Sequence, residues 1–218
     1  MGAICPLETV IYSACQSEHP DMAPFIVVEG IDGCGKSTAA KALAERLGGD
    51  VVLTREPTDS WIGAAVRDGG EEASSPYLDA LLFMADRAQH TLEIAEWVKN
   101  GMTVICDRYY HSTVAYQTAS LKGKSLGDNF DWLLDANRRI SIHPDITFLL
   151  LLDPERALER AGGRGNLSRF ERLDFLKEVQ NNYGRLAKLD ESVVQINADR
   201  PSDKIVEDIL TVIRERKL

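Results

Sequence analysis

The chain has 218 residues, a formal net charge of −9 and four cysteines, at Cys5, Cys15, Cys34 and Cys106. That length buries one full core and predicts a single domain, and the acidic balance offers no basic face to a nucleic-acid backbone, so no nucleic-acid partner is expected. The cysteines form neither a CxxC pair nor a disulfide framework, which suits a reducing, cytoplasmic compartment and implies no zinc site.

Residues 1–21 carry no clear hydrophobic period, whereas Met22-Ala-Pro leads straight into the apolar run Phe25–Val28. Residues 1–22 are therefore read as an N-terminal extension, either poorly ordered or placed before a true start at Met22, and 23–218 as the domain. No basic n-region precedes an apolar stretch, and Pro6 stands where a myristoylation signal needs Ser or Thr. Apolar runs such as Ile146–Leu152 fall far short of the roughly 20 residues that span a bilayer, so no membrane partner is expected.

Short apolar, β-branched runs recur at Phe25–Val28, Val51–Thr54, Met102–Cys106, Ile146–Leu152 and Val193–Ile196. They are nearly continuous and not alternating, which predicts strands buried on both faces in a parallel sheet. Helical spacing fills the intervals: Ser37–Leu47, Ser74–Lys99, Asn129–Arg139, Pro154–Ala161, Ser168–Lys188 and Pro201–Arg216. The expected fold class is α/β: a three-layer P-loop fold with a five-stranded parallel sheet flanked by helices. In such sheets ligands bind beyond the carboxyl ends of the strands.

Directly after the first run, Gly30-Ile31-Asp32-Gly33-Cys34-Gly35-Lys36-Ser37-Thr38 fits GxxxxGK[ST] and opens a helix. The glycines let successive N–H groups face a phosphate, the helix N-terminus adds partial positive charge, and Lys36 reaches the β/γ oxygens of ATP. Ser37 is a Mg²⁺ ligand candidate. The third run ends in Asp107-Arg108, which places a second candidate ligand, Asp107, at the sheet edge; a carboxylate capping the next segment is the alternative. A P-loop alone leaves GTPases, motors, kinases and nucleotide-sensing modules open.

Three further segments narrow the field: Thr54-Arg55-Glu56-Pro57; Phe83-Met-Ala-Asp86-Arg87-Ala-Gln-His90; and Asp107-Arg108-Tyr-Tyr-His-Ser112-Thr113-Val-Ala-Tyr116-Gln117. In this order they resemble the motifs of thymidylate kinases, over a stretch from about Phe25 to the C-terminus. The resemblance implies transfer of the ATP γ-phosphoryl group to dTMP with Mg²⁺, to supply dTTP synthesis. It makes Arg55 and Arg108 the grip on the acceptor phosphate through planar donor forks, Glu56–Pro57 a cis bond, and Asp32 a carboxylate near the acceptor sugar. Phe83 and Arg87, four apart on a helix, share a face where the ring stacks on thymine and the guanidinium reaches an exocyclic oxygen. Thr113, Tyr116 and Gln117 line base and sugar, with Tyr116 where a 2′-hydroxyl would clash. His90 is expected to orient Asp86 or Arg87.

Between the fourth strand and the next long helix, Arg156 to Glu171 is basic and glycine-rich, and reads as a short mobile lid that closes over the triphosphate with Arg160, Arg164 and Arg169. Gly33 stands where some thymidylate kinases carry a P-loop arginine, so the resemblance is to the lid-arginine type. The acceptor is a phosphate monoester whose second pKa is about 6, already mostly a dianion at neutral pH, and no general base is required. One departure is plain: Thr58-Asp59-Ser60 replaces the family's usual Gly-Gly-Thr, and Arg67 either compensates or is surface. A homodimer is implied, through the apolar stretch Tyr77–Val98 unless that stretch faces the core. The competing readings are another nucleoside or nucleoside-monophosphate kinase and a non-catalytic nucleotide-binding module.

Overall fold

The computed structural model describes residues 22–68, 75–124, 127–162 and 169–218, the side chains of 169–171 excepted. Residues 1–21 and the centre of the expected lid, 163–168 with Arg164, lie outside the described residues, as does the side chain of Arg169.

Five strands form one sheet: β1 (Phe25–Gly30), β2 (Val51–Arg55), β3 (Thr103–Asp107), β4 (Ile146–Leu151) and β5 (Val193–Asn197). They are all parallel, in the order β2-β3-β1-β4-β5. Eight helices accompany them among the described residues: α1 (Lys36–Leu47), α2 (Trp61–Asp68), α3 (Pro76–Lys99), α4 (Tyr110–Leu121), α5 (Phe130–Ile140), α6 (Pro154–Ala161), α7 (Arg169–Leu189) and α8 (Ser202–Arg216). Helices α1 and α8 pack together, α1 against β1–β3 and α8 against β5, while α3, α4, α5 and α7 pack on one another around α4. The expected α/β architecture and all five strands are therefore present.

The inner strands justify the continuous apolar runs: every residue of β1 is buried, and so is all of β4 but its last. The expectation that each strand is buried on both faces fails for β2 and β5, which are largely half-buried or exposed because they are the sheet's edges. Helix α4 lies outside the expected helical stretches. Helix α4 is the physical centre of its layer: ten of its residues are buried, His111, Ser112, Thr113, Gln117 and Thr118 among them.

Local chemistry sets the helix ends. Ser75 accepts a hydrogen bond from the Tyr77 N–H ahead of Pro76, and Asp153 accepts from Glu155 N–H and Arg156 N–H ahead of Pro154. Such caps contribute about 1 kcal/mol each. The strand order places the switch in connectivity beside β1, so the loops after β1 and β3 open into the crevice where open α/β sheets bind ligands.

Candidate active site

The loop after β1 turns through Gly33 at φ 84° and Gly35 at φ 94°, and α1 starts at Lys36. Lys36 is buried; its ammonium donates to the Ile31 carbonyl at 3.2 Å and lies 3.5 Å from Asp32 Oδ1. Gly33 faces α6 so closely that a Cβ there would lie inside the van der Waals surface of the Ala157 carbonyl. A side chain at Gly33 therefore collides with backbone, which explains why this loop carries no arginine.

The end of β3 supplies Asp107 and Arg108. Arg108 has the left-handed backbone, φ 73°, that few residues other than glycine adopt. Its guanidinium pairs with Asp32, donates to Ser112 Oγ at 3.0 Å and lies 5.2 Å from the centre of the Tyr116 ring. The Tyr116 hydroxyl in turn accepts the Asp32 N–H at 2.9 Å. Asp32, Arg108 and Tyr116 are thus joined directly to the P-loop. Burial acts to raise the Asp32 pKa, but Arg108 and Lys36 outweigh it and hold the carboxyl below its ordinary 3.8.

Asp107 Oδ1 is buried without a hydrogen-bond partner, and Asp107 shares a cleft of about 600 Å³ with Ser37, Arg55, Thr58, Asp59 and His90. One hydroxyl and one carboxylate are hard oxygen donors of the kind Mg²⁺ takes when substrate phosphates and waters complete its shell. Among the described residues no group of three His, Cys, Asp or Glu could hold a metal without such help. Ser37 and Asp107 fit the expected ion.

The acceptor side is organised by a carboxylate that sequence reasoning noticed only for its neighbour. Glu56, ahead of the cis Glu56–Pro57 bond, accepts from Arg87 Nε at 2.9 Å and Nη2 at 2.5 Å through one oxygen. Its other oxygen lies 3.1 Å from His90 Nδ1, while His90 Nε2 is 2.8 Å from Thr54 Oγ1. His90 therefore orients Glu56, and not Asp86 or Arg87 as expected. Arg87 also donates to Thr113 Oγ1 at 3.0 Å and Asn137 Oδ1 at 2.5 Å and is 1% exposed. These bonds occupy four of the five N–H donors of a guanidinium, leaving the second Nη1–H. Phe83, one helical turn before Arg87, is half-buried and outside the buried core. Gln117 Oε1 is buried without a partner.

The departure at Thr58-Asp59-Ser60 has a structural role. Asp86 accepts from Thr58 N–H at 2.7 Å, Thr58 Oγ1 at 2.6 Å and Ser60 Oγ at 3.1 Å, stapling the loop to α3. Arg67 donates to the Thr58 carbonyl at 2.6 Å, so it braces the loop. Arg55, expected at the acceptor phosphate, is held by Asp59. Arg160, expected over the triphosphate, instead lies against Ala198 O and Asp199 at 3.4 and 3.5 Å.

Glu29, Asn137 and Tyr183 build the site without having been expected there, and Ser112 stood in the Asp-Arg motif without a role of its own. Glu29 left a further sequence signal, a carboxylate inside an apolar strand that runs into a P-loop.

Residues 28–209 match the family model of thymidylate kinase. The chain belongs to the thymidylate kinase family. Curated relatives agree across nearly their whole length. A probable thymidylate kinase of Thermococcus gammatolerans is 37% identical over 90% of this chain and 99% of its own. Those of Methanococcoides burtonii and Archaeoglobus fulgidus are each 39% identical over 87% of this chain, and over 95% and 94% of their own. The family's P-loop, Asp-Arg and Arg-Glu-Pro motifs, separated in sequence, are bonded neighbours: Glu56 N–H donates to Asp107 O at 3.1 Å, and the Arg108 guanidinium pairs with Asp32.

Proposed function

We propose that the chain transfers the γ-phosphoryl group of Mg·ATP to dTMP, giving dTDP and ADP. The observation that carries this reading is Arg87, buried one helical turn from Phe83 and pinned by Glu56, Thr113 and Asn137, with one N–H that takes no hydrogen bond among the described residues. A fixed donor beside a stacking ring suits thymine O4 and opposes the amino group of cytosine, which is itself a donor.

The geometry supports the following roles. Gly30–Gly35 and the N-terminus of α1 (Ser37, Thr38) receive the ATP phosphates, and Lys36 turns from Ile31 O to the β/γ oxygens. Arg108 and Arg55 hold the dTMP phosphate, with Asp32 keeping the Arg108 fork in place. Pro57 shapes the loop, and Thr113, Tyr116 and Gln117 surround the nucleoside. Ser37 and Asp107 would hold Mg²⁺, which would supply charge neutralisation at the transferring group. The acceptor needs no base, so rate enhancement rests on alignment and charge neutralisation. Arg164 supplies a cation from the lid, and Arg160 does so only after leaving Asp199; the steric closure of Gly33 supports a cation from outside the P-loop, since the P-loop itself has no room for one.

The assembly we propose is a homodimer. Tyr77, Leu78 and Leu81 of α3 are exposed with Trp132 of α5, the Tyr77 and Trp132 rings being 6.2 Å apart, whereas Ile94, Ala95 and Val98 of the same stretch are in the core. The compartment we propose is the cytoplasm, which suits the free, buried thiols of Cys34 and Cys106. Among the described residues no helix is long and apolar enough to cross a membrane.

The test is product identification after incubation with Mg·ATP and dTMP, with Lys36→Ala as the blank. Equal amounts of dTDP and ADP, absent from the blank, are expected; ADP without dTDP would replace the kinase reading with an ATPase. Sedimentation at micromolar concentration checks the dimer, and Leu81→Glu should yield monomer.

A further inference from the structure

Arg108 is the only described residue before the C-terminal Lys217 that has positive φ without being glycine, and a backbone in that region persists only where its surroundings over-determine it. Its own N–H donates to Val28 O at 3.1 Å, and its carbonyl accepts the Cys106 thiol at 2.9 Å. The next N–H, that of Tyr109, donates to Glu29 Oε1 at 2.7 Å, and the Ser112 N–H reaches the same oxygen at 3.1 Å. The other oxygen, Oε2, accepts from Ser112 Oγ at 2.6 Å and from the Tyr183 hydroxyl at 2.8 Å. Ser112 Oγ is also the acceptor for Arg108 Nη1. Glu29 is fully buried, and His111 Nδ1 is 4.0 Å from it.

We propose that Glu29 and Tyr183 are positioning residues for the acceptor-phosphate grip. Neither touches a substrate. The Glu29 carboxylate fixes the left-handed turn at Arg108 through Tyr109 N–H and fixes the Arg108 side chain through Ser112 Oγ. Tyr183, delivered by the neighbouring α7, holds the second carboxylate oxygen so that the Ser112 hydroxyl points its proton at Glu29 and its lone pair at Arg108. A buried carboxylate that takes four donors on two oxygens has one orientation, and it imposes that orientation on the guanidinium. The role rests on Arg108 binding the phosphate of dTMP, as in the proposed function.

The experiment measures KM for dTMP, KM for ATP and thermal midpoint for the wild type, Tyr183→Phe, Glu29→Gln and the double variant. Tyr183→Phe removes one hydroxyl without changing the ring, and covers the case in which Glu29→Gln fails to fold. The expected result is a rise in KM for dTMP of about ten-fold in each single variant, of the order that hydrogen bonds to charged groups support. KM for ATP should stay within about two-fold, and the double variant should be no worse than Glu29→Gln, because both act through one carboxylate. Unchanged KM for dTMP beside a lowered midpoint would overturn the proposal and leave the network a packing device. A wild type without dTMP turnover would show in the control, and would overturn the acceptor reading first and this role with it.

Discussion

The Asp59 carboxylate lies 2.7 Å from Nη2 of Arg55, and its second cationic neighbour, Arg67, is 3.9 Å away. The Arg55 hydrogen bond and charge hold the Asp59 carboxyl below its ordinary 3.8, so it is an anion wherever the enzyme works. Asp59 lines the same cleft as Asp107 and Ser37 and competes inside the molecule for a guanidinium assigned to the acceptor phosphate.

Removing that competitor should tighten acceptor binding. Asp59→Asn is expected to lower KM for dTMP by about two- to five-fold, the worth of an exposed ion pair, with KM for ATP unchanged. Steady-state kinetics check it; a raised KM for dTMP would show that Asp59 aids binding.

Glu56 and Arg87 form a buried pair, 3% and 1% exposed at their side chains. Removing one partner leaves the other charge without compensation, which costs about 3–5 kcal/mol. Glu56→Ala should therefore lower the urea midpoint steeply, and a double variant Glu56→Ala/Arg87→Met should recover part of the loss. If the double variant is as unstable as the single one, the penalty does not come from the unpaired guanidinium.

Gly33→Ala should reduce turnover by about ten-fold or more, since a misplacement of about 1 Å can cost two orders of magnitude. The added methyl meets the Ala157 carbonyl, at a φ unsuited to an L side chain. Gly33→Arg, although it restores a residue found in other thymidylate kinases, should be worse. Initial rates at saturating substrates decide the matter, and an active Gly33→Arg would contradict the packing of α6 against the P-loop.

Away from the cleft, Asp190 accepts from Tyr110 Oη at 3.0 Å, Ser192 N–H at 3.0 Å and Ser192 Oγ at 2.7 Å, with His143 Nε2 at 3.1 Å and Arg138 at 3.7 Å. The bond to Asp190 raises the His143 pKa above its ordinary 6.5 against the cost of burial. Stability from this shift is fully present below pH 6.5 and is lost as pH rises through the raised folded value. Because His143 is about half exposed, the effect should be below about 1 kcal/mol. The stability gap between wild type and His143→Gln, from urea melts at about pH 6 and about pH 9, should shrink at the higher value. Asp190 behaves oppositely: burial acts to raise its pKa, but the His111 ring 3.8 Å away and hydrogen bonds from His143 and Ser192 hold it far below 3.8. Its contribution stands above pH 3.8 and is lost only as pH falls through the depressed value.

Much of this was legible in the chain because local signals and global fold agree. The runs that became β1 and β4 are apolar throughout because they lie inside the sheet, and Gly30–Ser37 needs its glycines wherever it occurs. What stayed hidden was set by position in space. Helix α4 has no polar face to give it a helical period, since neighbours surround it on nearly every side; Thr113 and Gln117 were legible from the motif, but the helix that carries them was not. The partnership of Glu56 with His90 and Arg87, and that of Glu29 with Tyr183, join residues 31 to 154 positions apart. No spacing rule reaches that far. The edge strands β2 and β5 look buried in sequence because apolar content alone does not say which strand ends a sheet.

In the proposed function Phe83 and the pinned Arg87 read thymine. The most direct measurement is kcat/KM with dTMP against dCMP, for the wild type and Arg87→Gln. The wild type is expected to prefer dTMP by at least about a thousand-fold, as sites built around a buried hydrogen bond do, and Arg87→Gln to lose most of that preference. A wild type that phosphorylates both acceptors equally, or a variant that keeps the full preference, would contradict it.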